Sequence, residues 1–434
     1  MLGPSMTTTH GDLTGEDHKR HRRVMNPAFG LYEAKALVPV FTAAASSLSN
    51  KWKDLLLESR DHSEVFDVPR WTSRATLDAI GHAGFDYNFG AMDNKENRLA
   101  SAYNNLLQLI TDIIRSTLMP VRLIPWLLGY MSKSNPQLAR VRTMRDTATE
   151  VAREVVAEKS EEILNGQGNR LKDIMSLLVK ANMSSQNGNS RLSNEELMAE
   201  MLTMFLAGHE TTAVSITWTL LELSRRPEIQ AKLREEILAK EREISLEGRR
   251  ETGFSAEDFE SLPYMNAVVK ESLRYHPVGT RITKTALADD CLPFSETITT
   301  IRGVEINELP VSKGTQVHIS IAAYNRSEAL FGDDAHTFRP ERWLEENGSG
   351  PKKGGANGVY SNLMTFSGGP RACIGWRFAV FEFQAFLVEL IRNFEFLLTP
   401  ECERIRRESA AVMLPVIEGE VEKGAQCPLR VINV

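Results

Sequence analysis

The sequence contains little cysteine, and its cysteines show no paired arrangement. Of its 434 residues only four are cysteines, namely Cys291, Cys373, Cys402 and Cys427. Zinc sites and disulfide frameworks need cysteines at close, repeated spacings, so this pattern argues against both. Disulfides are rare in reducing compartments, and four scattered thiols fit such a compartment.

The sequence also lacks a strong excess of charge and a continuous apolar run. The net charge is −6, which gives no reason to expect a nucleic-acid partner. A membrane-spanning helix needs about 20 consecutive apolar residues, and residues 1–14 are polar. The most apolar stretch, residues 117–131, is interrupted by Pro120, Arg122 and Pro125. This stretch is either a core loop or a patch that contacts a membrane surface.

Apolar residues recur at helical spacing through the first two-thirds of the chain. The predicted helices cover residues 36–57, 72–80, 139–163 and 197–223. Ser193 and Glu196 form a capping-box pattern at the start of the last of these helices. Pro227 ends that helix near Arg226 and suits the first turn of a further helix, which runs to about Arg242.

Between residues 282 and 321 the pattern changes to alternating Val, Ile and Thr, with Gly303 and Gly314 at turn positions. This pattern predicts one small sheet, with strand residues at 297–304 and 315–320. No repeat or linker divides the chain. We therefore expect a single domain over residues 1–434, mainly α with a minor antiparallel β part.

One segment combines the features of a metal-ligand site. Residues 366–375 read FSGGPRACIG, a glycine-rich turn that places Cys373 at the start of an apolar helix predicted over residues 376–390. The N–H groups of the first helical turn and Arg371 are expected to lower the pKa of the thiol. A thiolate is one of the few axial ligands of haem iron. The alternative for a lone cysteine is a buried, inert thiol.

A second pattern interrupts the helix predicted over residues 197–223. Residues 207–212 read AGHETT and place Gly208, Glu210 and Thr211 in an otherwise apolar helix. Glycine inside a helix costs about 1 kcal/mol relative to alanine, and threonine hydroxyls that bond to earlier carbonyls bend helices. The pattern indicates either a simple kink or a notch whose polar groups relay protons.

In order and spacing these motifs resemble those of the cytochrome P450 family, and of its fungal members in particular. The haem-binding pattern Phe-x-x-Gly-x-Arg-x-Cys-x-Gly is matched by Phe366, Gly369, Arg371, Cys373 and Gly375. The resemblance implies a cytochrome P450 fold, N-terminally truncated, in which Cys373 ligates the haem iron and the other four residues contact the haem.

The resemblance also assigns roles in the notch. The family carries [Ala/Gly]-Gly-x-[Asp/Glu]-Thr-[Thr/Ser] there, and this chain matches every position. It implies that Ala207 and Gly208 lie over the haem face and that Glu210 and Thr211 are the acid–alcohol pair that delivers protons. His209 occupies the variable position and receives no role.

Basic residues are implied as partners of the haem propionates. His18 and Arg22, in the basic run at residues 18–23, fall on two family positions, and Arg371 is a third candidate. A run of basic residues alone would indicate a solvated face. A further basic residue is expected on the strand that follows residue 275, where Lys284 is the candidate and Arg281 the alternative.

A buried ionic cluster is implied as well. Glu271 and Arg274 share one face of a helix, and Arg342 lies in FRPERW, which resembles the family's Phe-x-Pro-Glu-Arg-[Phe/Trp] element. Together they would hold the cysteine loop. By position in the family, the expected substrate pocket is lined by Thr203, Met204, Ala207 and residues 278–280 and 412–414.

The resemblance implies a monooxygenase that uses haem b to hydroxylate or epoxidise a small apolar organic substrate. Electrons would come ultimately from NADPH through a separate flavoprotein reductase or another donor, docked by the remaining basic residues of the run at 18–23. The implied location is the cytoplasmic face of the endoplasmic reticulum membrane, with a peripheral membrane contact.

Two rival functions stay open. A haem-thiolate isomerase or dehydratase of hydroperoxides needs no electron donor, and the intact Glu210–Thr211 pair argues against it. Family members usually carry a membrane anchor, a first sheet and early helices ahead of the basic motif, whereas this chain reaches that motif at Gly15. An inactive truncated haem-binding remnant is therefore the second alternative.

Overall fold

The computed structural model describes residues 15–93, 136–165, 173–184, 191–249, 253–344, 357–409 and 412–434. The apolar stretch at 117–131 lies outside these residues. Helices dominate and are numbered here in chain order: α1 Gly15–Met25, α2 Leu31–Ala36, α3 Val38–Glu58, α4 Val68–Phe85, α5 Pro136–Leu164, α6 Ile174–Ser184, α7 Asn194–Ser224, α8 Pro227–Leu246, α9 Ala256–Glu260, α10 Pro263–Tyr275, α11 Ile321–Asn325, α12 Glu328–Phe331 and α13 Trp376–Asn393. Within the described part of the chain, no helix combines the length and apolar character needed to cross a bilayer.

The strands form small antiparallel sheets. They are β1 Ser63–Asp67, β2 Arg281–Thr285, β3 Asp290–Thr299, β4 Glu305–Val311, β5 Gln316–Ser320, β6 Phe394–Leu398, β7 Ile405–Ser409, β8 Met413–Ile417 and β9 Pro428–Asn433. Strand β9 lies between β1 and β6, while β2 pairs with β5, β3 with β4 and β7 with β8. The predicted class, mainly α with minor antiparallel sheets, is confirmed.

The single sheet predicted between residues 282 and 321 is wrong in detail. The structure has two separate two-stranded sheets there, β2–β5 and β3–β4. The strand predicted over residues 297–304 breaks because Thr300 accepts from the Gly303 N–H over 2.9 Å. Gly303 has a φ of 74°, a value that glycine adopts at little cost. The alternation of Val, Ile and Thr therefore runs on through the turn between β3 and β4, where the chain is no longer a strand.

Helix α7 is the central element, and its ends follow the sequence signals. The Ser193 hydroxyl accepts from the Glu196 N–H over 3.1 Å, and the Glu196 carboxylate accepts from the Ser193 N–H over 2.8 Å. This capping box satisfies N–H groups that have no partner inside the helix. Pro227 begins α8, as its position predicts. Most of α7 is buried, since it packs against α4, α5 and α13.

One cluster of buried apolar side chains extends through the described residues from Val24 to Val431. Helix α13 packs against both α3 and α7. Because α13 begins just after Cys373 and α7 carries the 207–212 segment, this packing places the two principal motifs on neighbouring helices.

Candidate active site

The loop before α13 is held in shape by its own backbone. The Cys373 N–H donates to the Phe366 carbonyl over 2.8 Å, and Ser367 adopts a positive φ of 59°. Gly368 is crossed closely by a neighbouring segment, because a Cβ built on it would lie 1.7 Å from the Asn357 carbonyl oxygen. A side chain at Gly368 is therefore incompatible with the loop. Phe366 lies partly buried and Gly369 is exposed.

The thiol of Cys373 reaches solvent, although protein atoms crowd around it. Its surface is exposed, yet burial is the largest influence on its pKa and raises it. The Gly375 N–H and the charge of Arg22 oppose that rise without overcoming it. The expected lowering of the thiol pKa is therefore wrong for the protein without a metal. The cation that acts on the thiol is Arg22, whereas its chain neighbour Arg371 is exposed and acts on His18.

Three basic side chains lie at or beside this loop. Arg22 donates from Nη1 to the Ala372 carbonyl over 3.1 Å. His18 is buried, and its pKa is lowered by burial and then by the charges of Arg371, Arg22 and His21. Within the described ranges, none of His18, Arg22 and Arg371 forms an ion pair with a carboxylate. Their mutual repulsion would be relieved by an anionic group placed among them.

Helix α1, which carries His18 and Arg22, is fastened to the start of α7. Arg20 donates to both oxygens of Glu196, at 2.6 and 3.0 Å, and this hydrogen bond is the largest of the influences that lower the pKa of Glu196 to about 2. His21 is fully buried, with Nδ1 2.7 Å from Glu200 Oε1 and Nε2 3.3 Å from Glu196 Oε1. Arg20 and His21 are therefore held by acids of α7, whereas Lys19 and Arg23 are exposed, and docking of a reductase by the basic run stays a prediction.

The 207–212 segment opens α7 at one point. Ala207 is exposed although the residues around it on the helix are largely buried. The Thr211 hydroxyl donates to the Ala207 carbonyl over 2.8 Å. Gly208 lies against α4, where a Cβ built on it would be 2.8 Å from Cδ1 and from Cγ1 of Ile80. Close packing against Ile80 thus explains why residue 208 is a glycine. The predicted contact of Gly208 with haem stays a prediction.

Glu210 is anchored by two groups. The Ser73 hydroxyl on α4 donates to Oε1 over 2.8 Å, and His209 Nε2 lies 3.2 Å from the same oxygen. Burial opposes ionisation of Glu210, but the hydrogen bond and charge of His209 and the Ser73 hydroxyl outweigh it, so the pKa of Glu210 is lowered. The sequence prediction missed His209 because it sits at the variable position of the motif.

A second buried acid faces α7 from α13. Glu382 is fully buried, and neither of its carboxyl oxygens has a well-formed hydrogen bond in the described structure. Burial raises the pKa of Glu382 well above its usual range, while the nearby Thr212 hydroxyl weakly favours the ionised form. The surroundings of Glu382 therefore favour its neutral, protonated form. Its position in an apolar helix gave no signal in the sequence.

The three residues expected in an ionic cluster do meet. Glu271 receives two hydrogen bonds of 2.8 Å from Arg274 and one of 3.1 Å from Arg342. It also accepts from the Arg339 backbone N–H over 2.7 Å and from the Trp343 indole over 3.0 Å. All three charged side chains are fully buried. A buried carboxylate this well satisfied is strongly bound to its partners.

Of the expected substrate-pocket residues, two segments are brought together. The Met413 N–H donates to the Val278 carbonyl over 2.8 Å, and the Trp218 indole on α7 donates to the Met413 carbonyl over 3.0 Å. Lys284 and Arg281, by contrast, are exposed on β2. No contact in the described residues joins either to Cys373 or to the three cations, so the choice between them stays a prediction.

The residues present fit a haem. An accessible thiol lies beside three basic side chains that lack carboxylate partners in the described ranges, which matches a thiolate ligand with two nearby propionates. The exposed Ala207 marks open space beside a helix that packs on the thiol-bearing element. Cys373 would ligate the iron, while His18, Arg22 and Arg371 would hold the propionates.

Comparisons with known proteins agree. The cytochrome P450 family model matches residues 12–422. Cytochrome P450 monooxygenase 205 of Postia placenta is 34% identical, over 96% of this chain and 76% of that protein. Cytochrome P450 monooxygenase claQ of Ampulloclitocybe clavipes is 35% identical over 97% and 76%, and cytochrome P450 monooxygenase 128 of Postia placenta is 35% identical over 99% and 77%. The resemblance to fungal members is thereby confirmed. The chain belongs to the cytochrome P450 family and is a haem-thiolate monooxygenase.

Proposed function

We propose that this monooxygenase uses haem b held by Cys373, draws electrons ultimately from NADPH through a separate flavoprotein reductase, and oxygenates a small apolar organic substrate. The observation that carries the proposal is the accessible Cys373 thiol beside three basic side chains, His18, Arg22 and Arg371. When bound, the haem supplies the redox chemistry that activates dioxygen. The rest of the mechanism belongs to the protein's own side chains.

The cations and the ionic cluster position the reacting parts. His18, Arg22 and Arg371 would bind the two propionates by charge-assisted hydrogen bonds. The Gly375 N–H, at the start of α13, faces the sulfur and stabilises negative charge on it. Cys373 would bind the iron as a thiolate, because a metal cation at the sulfur favours loss of the thiol proton.

Proton delivery is assigned to Glu210 and Thr211. Insertion of one oxygen atom into a substrate consumes protons while the other atom becomes water, and a positioned donor contributes roughly 100- to 10,000-fold in rate. Neighbouring residues on a helix point about 100° apart, and Glu210 is turned toward Ser73. Thr211 meanwhile donates to the Ala207 carbonyl. A water molecule or a side-chain rotation therefore has to connect the two.

The reductase is proposed to dock beside the start of α13. Arg377, in the first turn after Cys373, stacks over the Trp376 ring at 4.2 Å. Both line a groove of about 430 Å³ together with Lys270 and the aromatic side chains of Trp343 and Tyr360. Burial lowers the pKa of Lys270, so a carboxylate arriving from an acidic partner would stabilise its charge.

A peripheral contact with the cytoplasmic face of the endoplasmic reticulum membrane is also proposed. The apolar sequence at residues 117–131 supports it, as do the exposed side chains of Leu287 and Ile301 near β3. Flotation with anionic phospholipid vesicles tests it. Wild-type protein should float with the vesicles, and protein that stays entirely in the aqueous fraction would contradict the contact.

The experiment that tests the function is turnover under isotopically labelled dioxygen with a library of apolar substrates. The proposal predicts that one labelled oxygen atom enters the product and that turnover requires both NADPH and a reductase. Rearrangement of hydroperoxides without either would instead establish an isomerase or dehydratase.

A further inference from the structure

His209 is wedged between an acceptor and an acid. Its side chain is 2% exposed, with Nδ1 2.7 Å from the Phe205 carbonyl oxygen and Nε2 3.2 Å from Glu210 Oε1. Its own carbonyl accepts a 3.0 Å hydrogen bond from the Thr76 hydroxyl on α4. The imidazole is therefore oriented by two contacts within α7, while the hydrogen bond from Thr76 ties the backbone of His209 to α4.

The hydrogen-bond chemistry of these contacts decides where the protons are. A backbone carbonyl only accepts, so Nδ1 must carry a hydrogen. If the imidazole were neutral and Glu210 ionised, a lone pair on Nε2 would face a carboxylate oxygen that also only accepts. A second proton must therefore lie between Nε2 and Oε1, on either the imidazole or the carboxyl group.

The surroundings favour sharing of this proton. Ser73 donates to the same Oε1 atom over 2.8 Å, which stabilises negative charge on Glu210. The influences that lower the pKa of Glu210 come from His209 first and then from the Ser73 hydroxyl. Both side chains are largely shielded from water. A proton held between them therefore moves between Nε2 and Oε1 more readily than it passes to bulk solvent.

We propose that His209 and Glu210 form a proton-sharing dyad in which His209 is the positioning residue that reloads Glu210. The inference rests on the proposed role of Glu210 as proton donor. In the reloading step the Nε2–H bond of the imidazolium breaks, an O–H bond forms at Oε1, and both charges are cancelled. After Glu210 gives its proton onward, a proton from water restores the imidazolium.

Two substitutions separate this role from a purely structural one. His209→Asn keeps an N–H near the position of Nδ1 but does not reach Glu210. His209→Gln keeps an N–H donor near the position of Nε2 but has no proton to give. The dyad predicts that both variants lose about tenfold in product formed per dioxygen consumed, with a matching rise in hydrogen peroxide. Full recovery of coupling in His209→Gln would overturn the dyad.

Glu210→Gln distinguishes failure of the dyad from failure of the proposed relay. If Glu210→Gln leaves coupling unchanged, the role of Glu210 itself is wrong, and the dyad falls with it. If Glu210→Gln uncouples turnover while His209→Gln matches wild type, Glu210 delivers protons without His209. If both uncouple turnover, the dyad is supported.

A spectroscopic readout does not depend on turnover. In protein labelled with nitrogen-15 at histidine, the diamagnetic ferrous carbon-monoxide complex gives imidazole nitrogen signals, and His209→Asn identifies the pair from His209. The dyad predicts that Glu210→Gln moves the Nε2 signal much further than the Nδ1 signal, because only Nε2 loses its hydrogen. An unmoved Nε2 signal would overturn it. If His209→Asn does not bind haem, His209→Gln identifies the pair instead.

Discussion

The side-chain amide of Asn325 donates to Thr365 Oγ1 over 2.8 Å, and its oxygen accepts from the Met364 N–H over 2.9 Å. The backbone carbonyl of Asn325 accepts from Arg274 over 3.1 Å. One residue therefore joins the buried ionic cluster to the segment that leads into the Cys373 loop. This connection is the physical means by which the cluster can hold the thiol in place.

Glu271→Ala should lower the free energy of unfolding by about 3–5 kcal/mol, because Arg274 and Arg342 would be left buried without a carboxylate. Urea unfolding measures the change, and the haem content of the purified variant should fall with it. Glu418→Ala removes an exposed carboxylate that pairs with Arg406 and should stay within about 0.5 kcal/mol of wild type. Equal effects of the two substitutions would contradict the cluster's structural role.

Glu382→Gln should stabilise the protein, and increasingly so as the pH rises. The pKa of Glu382 lies well above its unfolded value of 4.5. Above pH 4.5 the unfolded chain releases a proton that the native protein retains. The free energy of unfolding of the wild type therefore falls by up to about 1.4 kcal/mol per pH unit because of this group. Glutamine does not titrate. Urea unfolding of both proteins between about pH 5 and pH 8 should show a widening difference, and a constant difference would refute it.

His276→Gln should flatten the acid side of the stability profile. Burial is the largest of the influences that lower the pKa of His276 to about 4. Its Nε2–H donates to Glu222 over 2.9 Å and its Nδ1 accepts from Arg407 over 3.3 Å, so the neutral ring is fully satisfied.

The sign of this effect follows from the lowered pKa. The ordinary pKa of histidine is 6.5. Below that pH the unfolded chain binds a proton at this histidine that native His276 does not bind. Stability is therefore complete above pH 6.5 and falls toward pH 4. Between pH 6.5 and 5 the wild type should lose about 2 kcal/mol more than His276→Gln in urea unfolding. Parallel profiles would show that folding does not change the pKa of His276.

Gly208→Ala should lower the free energy of unfolding in the wild type and raise it in a protein that also carries Ile80→Ala. The new methyl group would overlap Ile80, at a cost of about 1–3 kcal/mol, whereas alanine itself favours a helix by about 1 kcal/mol over glycine. In an Ile80→Ala background the overlap is removed, and only the helix preference of alanine remains. A double-mutant cycle of unfolding free energies should show coupling of at least about 1 kcal/mol, and additive effects would exclude the contact.

Much of this organisation could be predicted from the sequence because it depends on local signals. The capping box at Ser193 and Glu196, the break at Pro227 and the turn before Cys373 all act within a few residues. The order of the motifs likewise identified the family. The charged residues 271, 274 and 342 could be grouped only through family resemblance, since their meeting depends on contacts 71 residues apart in the chain.

The remaining features depend on tertiary surroundings that local patterns do not encode. The charge of Arg22 lowers the pKa of Cys373, although the two residues are 351 positions apart in the chain. The raised pKa of the thiol follows from burial, which a helix-end argument leaves out. Glu382 and His21 looked like ordinary charged residues, and only the packing of α13 and α1 against α7 reveals that both are buried.

The most direct test of the central claim is the carbon-monoxide difference spectrum of the reduced, haem-loaded protein. The account predicts a Soret band at the position typical of a thiolate complex in the wild type and in Cys402→Ser. The band should be absent from Cys373→Ser, and Arg22→Ala should bind less haem while keeping the band position. A thiolate-type band that persists in Cys373→Ser, or its absence from the haem-loaded wild type, would contradict the assignment of Cys373 as the iron ligand.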